Sequence, residues 1–147
     1  MATSERKPRI DCVGLVSWDR LLAVSRYPEA GGSADVLEEV SAPGGTTANT
    51  AVALARLGAT VRIAAAIGDD ERGAMVRHGL AAEDVDCGWL AVKDGQMTDL
   101  ATMIVSTNPL ERTVFWEKGA QIVRHDRLDI PALFGSDLLV LDVADIP

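Results

Sequence analysis

The residues able to do chemistry gather in and around Pro43–Gly73, which reads PGGTTANTAVALARLGATVRIAAAIGDDERG. Gly44-Gly45 opens the segment from Ala48 to Ala59, which carries one charge, Arg56. A helix starting there presents N–H groups without intrahelical partners and the positive end of its dipole, a place where a small polar or anionic ligand can be held. Asn49 falls in the first turns, where an amide can both donate and accept, although such a residue more commonly serves its own backbone. Asp69-Asp70 precedes a second helix and reads as a cap that complements its dipole. Asp19, just beyond the first apolar run, reads by itself as a solvated loop acid, and Gly-Gly before a helix is also a common turn device. His78 and His125 have no ligand-spaced partner, and Cys12 and Cys87 lack metal-type spacing, so no metal site is expected.

The elements that must position these residues alternate. Ile10–Val16 is an apolar run expected as a first buried strand, whereas Leu21–Ala34, with Tyr27-Pro28 and Gly31-Gly32, reads as irregular. Ala34–Val40 has the weak alternation of an edge strand. The helix over Ala48–Ala59 stops near Gly58, Val61–Ile67 is a strand, and Asp70–Ala82 is the next helix. Leu90–Lys93, Leu100–Ser106 and Thr113–Trp116 read as three strands of a small inserted sheet, parted by Asp94-Gly95 and Asn108-Pro109. Asp126–Phe134 is expected to be partly helical and broken by Pro131, and Leu138–Val143 to be a last buried strand. This order predicts an α/β fold with a parallel central sheet, helices on both faces and a small β lid. Residues 1–8 are expected to form a disordered tail.

Composition narrows the function classes. With 147 residues, 48% hydrophobic and 24% charged, the chain reads as one globular domain. A net charge of -8 leaves no basic stripe for nucleic acid. The polar start, MATSERKPR, is no secretory signal, no segment approaches membrane-spanning length, and two cysteines form no disulfide framework, so a cytoplasmic setting is the expectation. A dinucleotide-binding reading fails at Gly14-Leu15-Val16-Ser17, which has no GxGxxG, and no GxxxxGK[ST] loop occurs anywhere.

Three fragments at matching spacing carry a resemblance: Gly44-Gly45-Thr46-Thr47-Ala48-Asn49-Thr50-Ala51, Ala55-Arg56-Leu57-Gly58-Ala59 and Gly68-Asp69-Asp70-Glu71-Arg72-Gly73. From Ile10 to Pro147 the chain resembles the N-terminal half of the ribokinase-like (PfkB) carbohydrate kinases. The resemblance implies a ribokinase-like fold, truncated here, and ATP-dependent phosphoryl transfer to a sugar hydroxyl. It implies that Asp19 accepts hydrogen bonds from sugar hydroxyls, that Gly44 and Gly45 form a backbone platform, and that Asn49 pairs with a hydroxyl. It further implies that Thr46 helps set which sugar fits, that Ala101 and Met103 give apolar cover from the lid, and that Asp145 edges the pocket. Taken without the resemblance, Met103 reads as core packing and Asp145 as a frayed terminus. Thr47 departs from the small residue the family usually has.

The same resemblance implies ATP and Mg2+ as cofactors of the complete enzyme, neither held by this chain alone. It implies a sugar as partner and a homodimer through the lid strands. The family's glycine-rich, aspartate-containing segment, of the form DTxGAGD, does not occur in this sequence. With it go the nucleotide site and the general base, whose loss alone costs about 10²–10⁴ in rate. The alternative is a catalytically silent sugar-binding or dimerisation module. The expected outcome is no sugar-dependent ATP turnover by this polypeptide in a coupled assay, and turnover above background would overturn it.

Overall fold

The computed structural model describes residues 6–123, 126 and 128–142. Two four-stranded sheets share no strand. The first contains β1 (Arg9–Val13), β4 (Thr60–Gly68), β5 (Val85–Lys93) and β8 (Leu138–Leu141) in the order β5-β4-β1-β8, every pair parallel. The second contains β2 (Ser17–Val24), β3 (Val36–Gly44), β6 (Leu100–Thr107) and β7 (Leu110–Glu117) in the order β3-β2-β6-β7, with β2 and β6 parallel and the outer pairs antiparallel.

Side chains alternate across the parallel sheet, which sorts them into two cores. Ile10, Cys12, Val61, Ile63, Ala65 and Ile67 pack with Ala48 and Ala51 of α1 (Thr46–Arg56) and with Val76 and Leu80 of α2 (Glu71–Ala82). Val13 and Ala64 turn the other way, onto Leu133 of the single-turn α3 (Ile130–Leu133). On that second face Arg62 forks onto Asp11 at 3.0 and 2.8 Å and lies 3.4 Å over the Trp89 ring centre, so this guanidinium is neutralised and stacked at once. The fold is therefore α/β, with helices on both faces and a separate β lid.

Several elements differ from expectation. β1 ends at Val13, and Val16, although buried, lies beyond it. Leu21–Val24 belongs to β2 rather than to a loop, because the turn signals Tyr27-Pro28 and Gly31-Gly32 act only after the strand has ended. Leu90–Lys93 is the end of β5 in the parallel sheet, where Leu90 and Val85 pack into the main core. The lid takes β2 and β3 in its place. Pro131 starts α3 instead of breaking it, since proline's missing N–H costs nothing in a first turn. Of the tail expected over 1–8, Arg6 pairs with Asp137 at 2.6 Å and the Pro8 carbonyl accepts from the Thr60 N–H.

Asp70 joins the two sheets. Its carboxylate caps α2 by accepting from the Gly73 N–H at 2.9 Å. It also accepts from the Thr98 hydroxyl at 2.6 Å and the Thr98 N–H at 3.1 Å, while the Thr98 oxygen accepts from the Gly68 N–H. Burial pushes the Asp70 carboxyl up, but the bonds from Thr98 and Gly73 outweigh it and hold it below its ordinary value. A carboxyl lowered in the folded state contributes stability that is present above its unfolded pKa and lost as pH falls through the folded one. Asp70→Asn is therefore expected to lower stability by about 1–2 kcal/mol at neutral pH. It should also flatten the acid limb of stability against pH, measured by urea melts from pH 3 to 7. An acid limb identical to that of the unaltered chain would refute this.

Candidate functional site

The site is built where three stretches of chain meet between the sheets. β1 hands over at Gly14, β3 ends at Gly44, α1 starts at Thr46, and β8 ends just before Asp142. These positions lie outside the carboxyl ends of β1 and β8, the usual ligand location in open parallel sheets. Asp142 is drawn in by its N–H, which donates to the Val13 carbonyl at 2.9 Å.

The closest packing is between Gly44 and Asp19. A Cβ on Gly44 would stand 2.0 Å from Asp19 Oδ2, so only glycine admits this carboxylate. The Ser17 hydroxyl donates to Asp19 Oδ1 at 2.6 Å and fixes its rotamer. Gly45 caps α1 with φ at 91°, and a Cβ there would meet the Leu15 carbonyl at 2.8 Å. It supplies no side-chain cap to the α1 amides.

Register places the lid residues. Asp19 is paired with Ala101 in β6 and with Ala42 in β3, and Ala101 with Trp116 in β7. Met103, two residues on, shares their face of the sheet. Asp19, Gly44, Gly45, Ala101 and Met103 thus share one corner of the fold. Thr46 points its hydroxyl to Asp142 Oδ2. Asn49 is exposed, its N–H donates to the Gly45 carbonyl at 3.0 Å, and it lines a groove between α1 and α2 with Pro43, Val52 and Gly79. Asp145 and His125 lie outside the described residues.

Residues 7–142 match the family model described as pfkB family carbohydrate kinase. The chain belongs to that family. It is 33% identical over 97 residues to an ATP-dependent ribose-1-phosphate kinase of Halopiger xanaduensis, an overlap of 66% of this chain and 33% of the relative. It is 30% identical over 108 residues to a ribokinase of Haemophilus influenzae, covering 74% of this chain and 35% of the relative. Arabidopsis thaliana ribokinase, solved with ribose and ATP, superposes with a TM-score of 0.79 at 18% identity, over 97% of this chain and 47% of that one. That likeness establishes the ribokinase fold. The chain spans about a third of the length of the curated relatives it matches.

At this corner Asp142 and Ser17 escape inspection of the sequence, and Thr47, noted there only as a departure, gains a place. Asp142 accepts from the Thr46 and Thr47 hydroxyls, the latter at 3.3 Å. The only signal for it is an acid placed where a parallel strand ends. Thr47, the departure from the family's small residue, is buried, and Gly14 makes the room: a Cβ on Gly14 would stand 2.4 Å from the Thr47 hydroxyl. Ser17 is identified only by its bond to Asp19.

The family implies ATP and Mg2+. The residues here do not suit a triphosphate, because Asp19 and Asp142 set two carboxylates beside the α1 start, where like charge repels. Among the described residues no cluster of three or more acidic, histidine or cysteine side chains could hold a metal ion. A neutral polyol, by contrast, meets acceptors that its hydroxyls can donate to. Gly44→Ala is expected to swing the Asp19 carboxylate away from the backbone and break its bond from the Ser17 hydroxyl, at a cost of about 0.5–1.5 kcal/mol. A Gly44→Ala melt within about 0.5 kcal/mol of the parent, the range of an unconstrained surface change, would show that the contact is not tight.

Proposed function

We propose that this chain is the sugar-binding portion of an ATP-dependent carbohydrate kinase and that it does not catalyse phosphoryl transfer by itself. The observation that carries the reading is the Asp19–Gly44 contact, which sets an acceptor-only carboxylate against a bare backbone at the mouth of a helix without a side-chain cap. Asp19 accepts from sugar hydroxyls, Gly44 and Gly45 let the ring approach the backbone, and Thr46 with Asp142 offers a second polar contact that bears on which sugar fits. Asn49, Ala101 and Met103 complete the set, and Asp145 is proposed at its edge. The residues of this chain bind and orient the acceptor and cover it from water.

Kinship supports the class of ligand. The relatives are named as kinases of ribose-1-phosphate, fructose and ribose, and one solved neighbour holds ribose. A homodimer through the lid is part of the same proposal, supported by apolar residues exposed on its strands, among them Leu37, Val40, Val114 and Phe115. Among the described residues no helix is long and apolar enough to cross a membrane.

The test is titration calorimetry of the chain with D-ribose and D-fructose. Saturable binding of at least one is expected. Asp19→Asn should weaken it about tenfold or more, the effect of losing a charged hydrogen-bond acceptor. Absence of binding to any simple sugar, or an Asp19→Asn affinity equal to that of the parent, would sink the reading.

A further inference from the structure

Asp99 is 1% exposed and has no cation among its hydrogen-bond partners, yet it is a carboxylate at the start of the central lid strand. Three donors converge on it. The Gly119 N–H donates to Oδ1 at 2.5 Å, the Gln121 amide to Oδ2 at 2.7 Å, and the Trp116 indole N–H to Oδ2 at 3.2 Å. Burying a carboxylate is costly unless such bonds replace its water. The segment these donors come from is pressed close: a Cβ on Gly119 would stand 2.0 Å from the Met97 carbonyl, and the Ala120 N–H donates to that carbonyl.

Register shows what the carboxylate holds. Ala42, Asp19, Ala101 and Trp116 form one row across β3, β2, β6 and β7. At a strand spacing of about 4.8 Å, the Trp116 backbone lies roughly 10 Å from that of Asp19 across the small floor of Ala101. That interval accommodates one sugar ring, with an acceptor on one side and an indole on the other. Trp116 is 42% exposed, so packing alone does not fix it, and its bond to Asp99 does.

We propose that Asp99 is a positioning residue, which holds the Trp116 indole as the far wall of the Asp19 site so that the flat C–H face of a single sugar ring can rest on it. The proposal rests on the sugar-binding reading above. An aromatic face with a polar handle suits this use, because the ring supplies contact area while its N–H is anchored. Trp116 would favour ligands with an unsubstituted ring face, and Asp99 would act on affinity only through Trp116.

The two parts can be read separately in this chain. Acrylamide quenching of Trp116, taken as the difference between the parent and Trp116→Phe, reports the latch without any sugar. Asp99→Asn, compared with its own Trp116→Phe double variant, should raise that quenching as the indole is released. Unchanged quenching overturns the latch. In sugar titrations with D-ribose and D-fructose, Asp99→Asn and Trp116→Phe should each weaken binding about tenfold, and the double variant no further than Trp116→Phe alone. Losses that add would overturn the action of Asp99 through Trp116, and a parental affinity in Trp116→Phe would overturn the wall. Trp116→Phe sits at an exposed position and keeps the ring, so it decides the point even where Asp99→Asn does not fold. A parent that binds neither sugar removes the sugar-binding reading and the wall with it, while the quenching result still decides the latch.

Discussion

Because the two sheets share no strand, the geometry of the site depends on how the crossings between them are held. Each crossing is gripped where it leaves one sheet for the other. Asp70 binds the α2 start to the 94–99 segment through Thr98, and Asp99 binds that segment to the stretch beyond β7. Gly14, Gly44 and Gly119 remove the side chains that would otherwise hold the crossings apart. The result is a lid seated by short polar bonds and bare backbone, with the large apolar core left to the parallel sheet.

That division of labour explains the site's chemistry. An apolar hinge would let the lid slide, since burial has no direction, whereas a carboxylate receiving two or three N–H or O–H donors fixes angle and distance together. The same device serves twice at different exposure. Asp70 and Asp99 face inward and hold the structure, while Asp19, steadied by Ser17, keeps its place at the mouth of α1. Family membership gives the chain its class.

Much of the parallel sheet was legible because its strands are almost uninterrupted apolar runs, with helices that begin at Gly-Gly and Asp-Asp. The lid was harder to read. Apart from β6 its strands are exposed along much of their length and carry no such run, so the turn residues that follow β2 obscure it, and the end of β5 reads as a lid strand. Asp19, Gly44 and Ala101 emerged from the family pattern, and their meeting in one corner is a matter of strand register. Asp99 carries no local signal and Asp142 only its place after an apolar strand, because their partners lie 17 to 22 and 95 to 96 residues away. Sequence spacing encodes neighbours on one element and is silent about pairs made by folding.

The pairing of β1 with β8 has a consequence for the order in which the molecule can be assembled. Ile10 lies beside Leu138, so a strand near the beginning of the polypeptide waits for one made 128 residues later. At a synthesis rate of about 5–20 residues per second, the ribosome emits that partner on the order of ten seconds after β1. During this interval β1 can acquire β4 on one side while its other edge, with its backbone donors and acceptors, stays open to any extended segment nearby. The middle strand of the order β4-β1-β8 is thus the element most in need of shelter as the chain emerges, even though in the finished fold it lies between two partners.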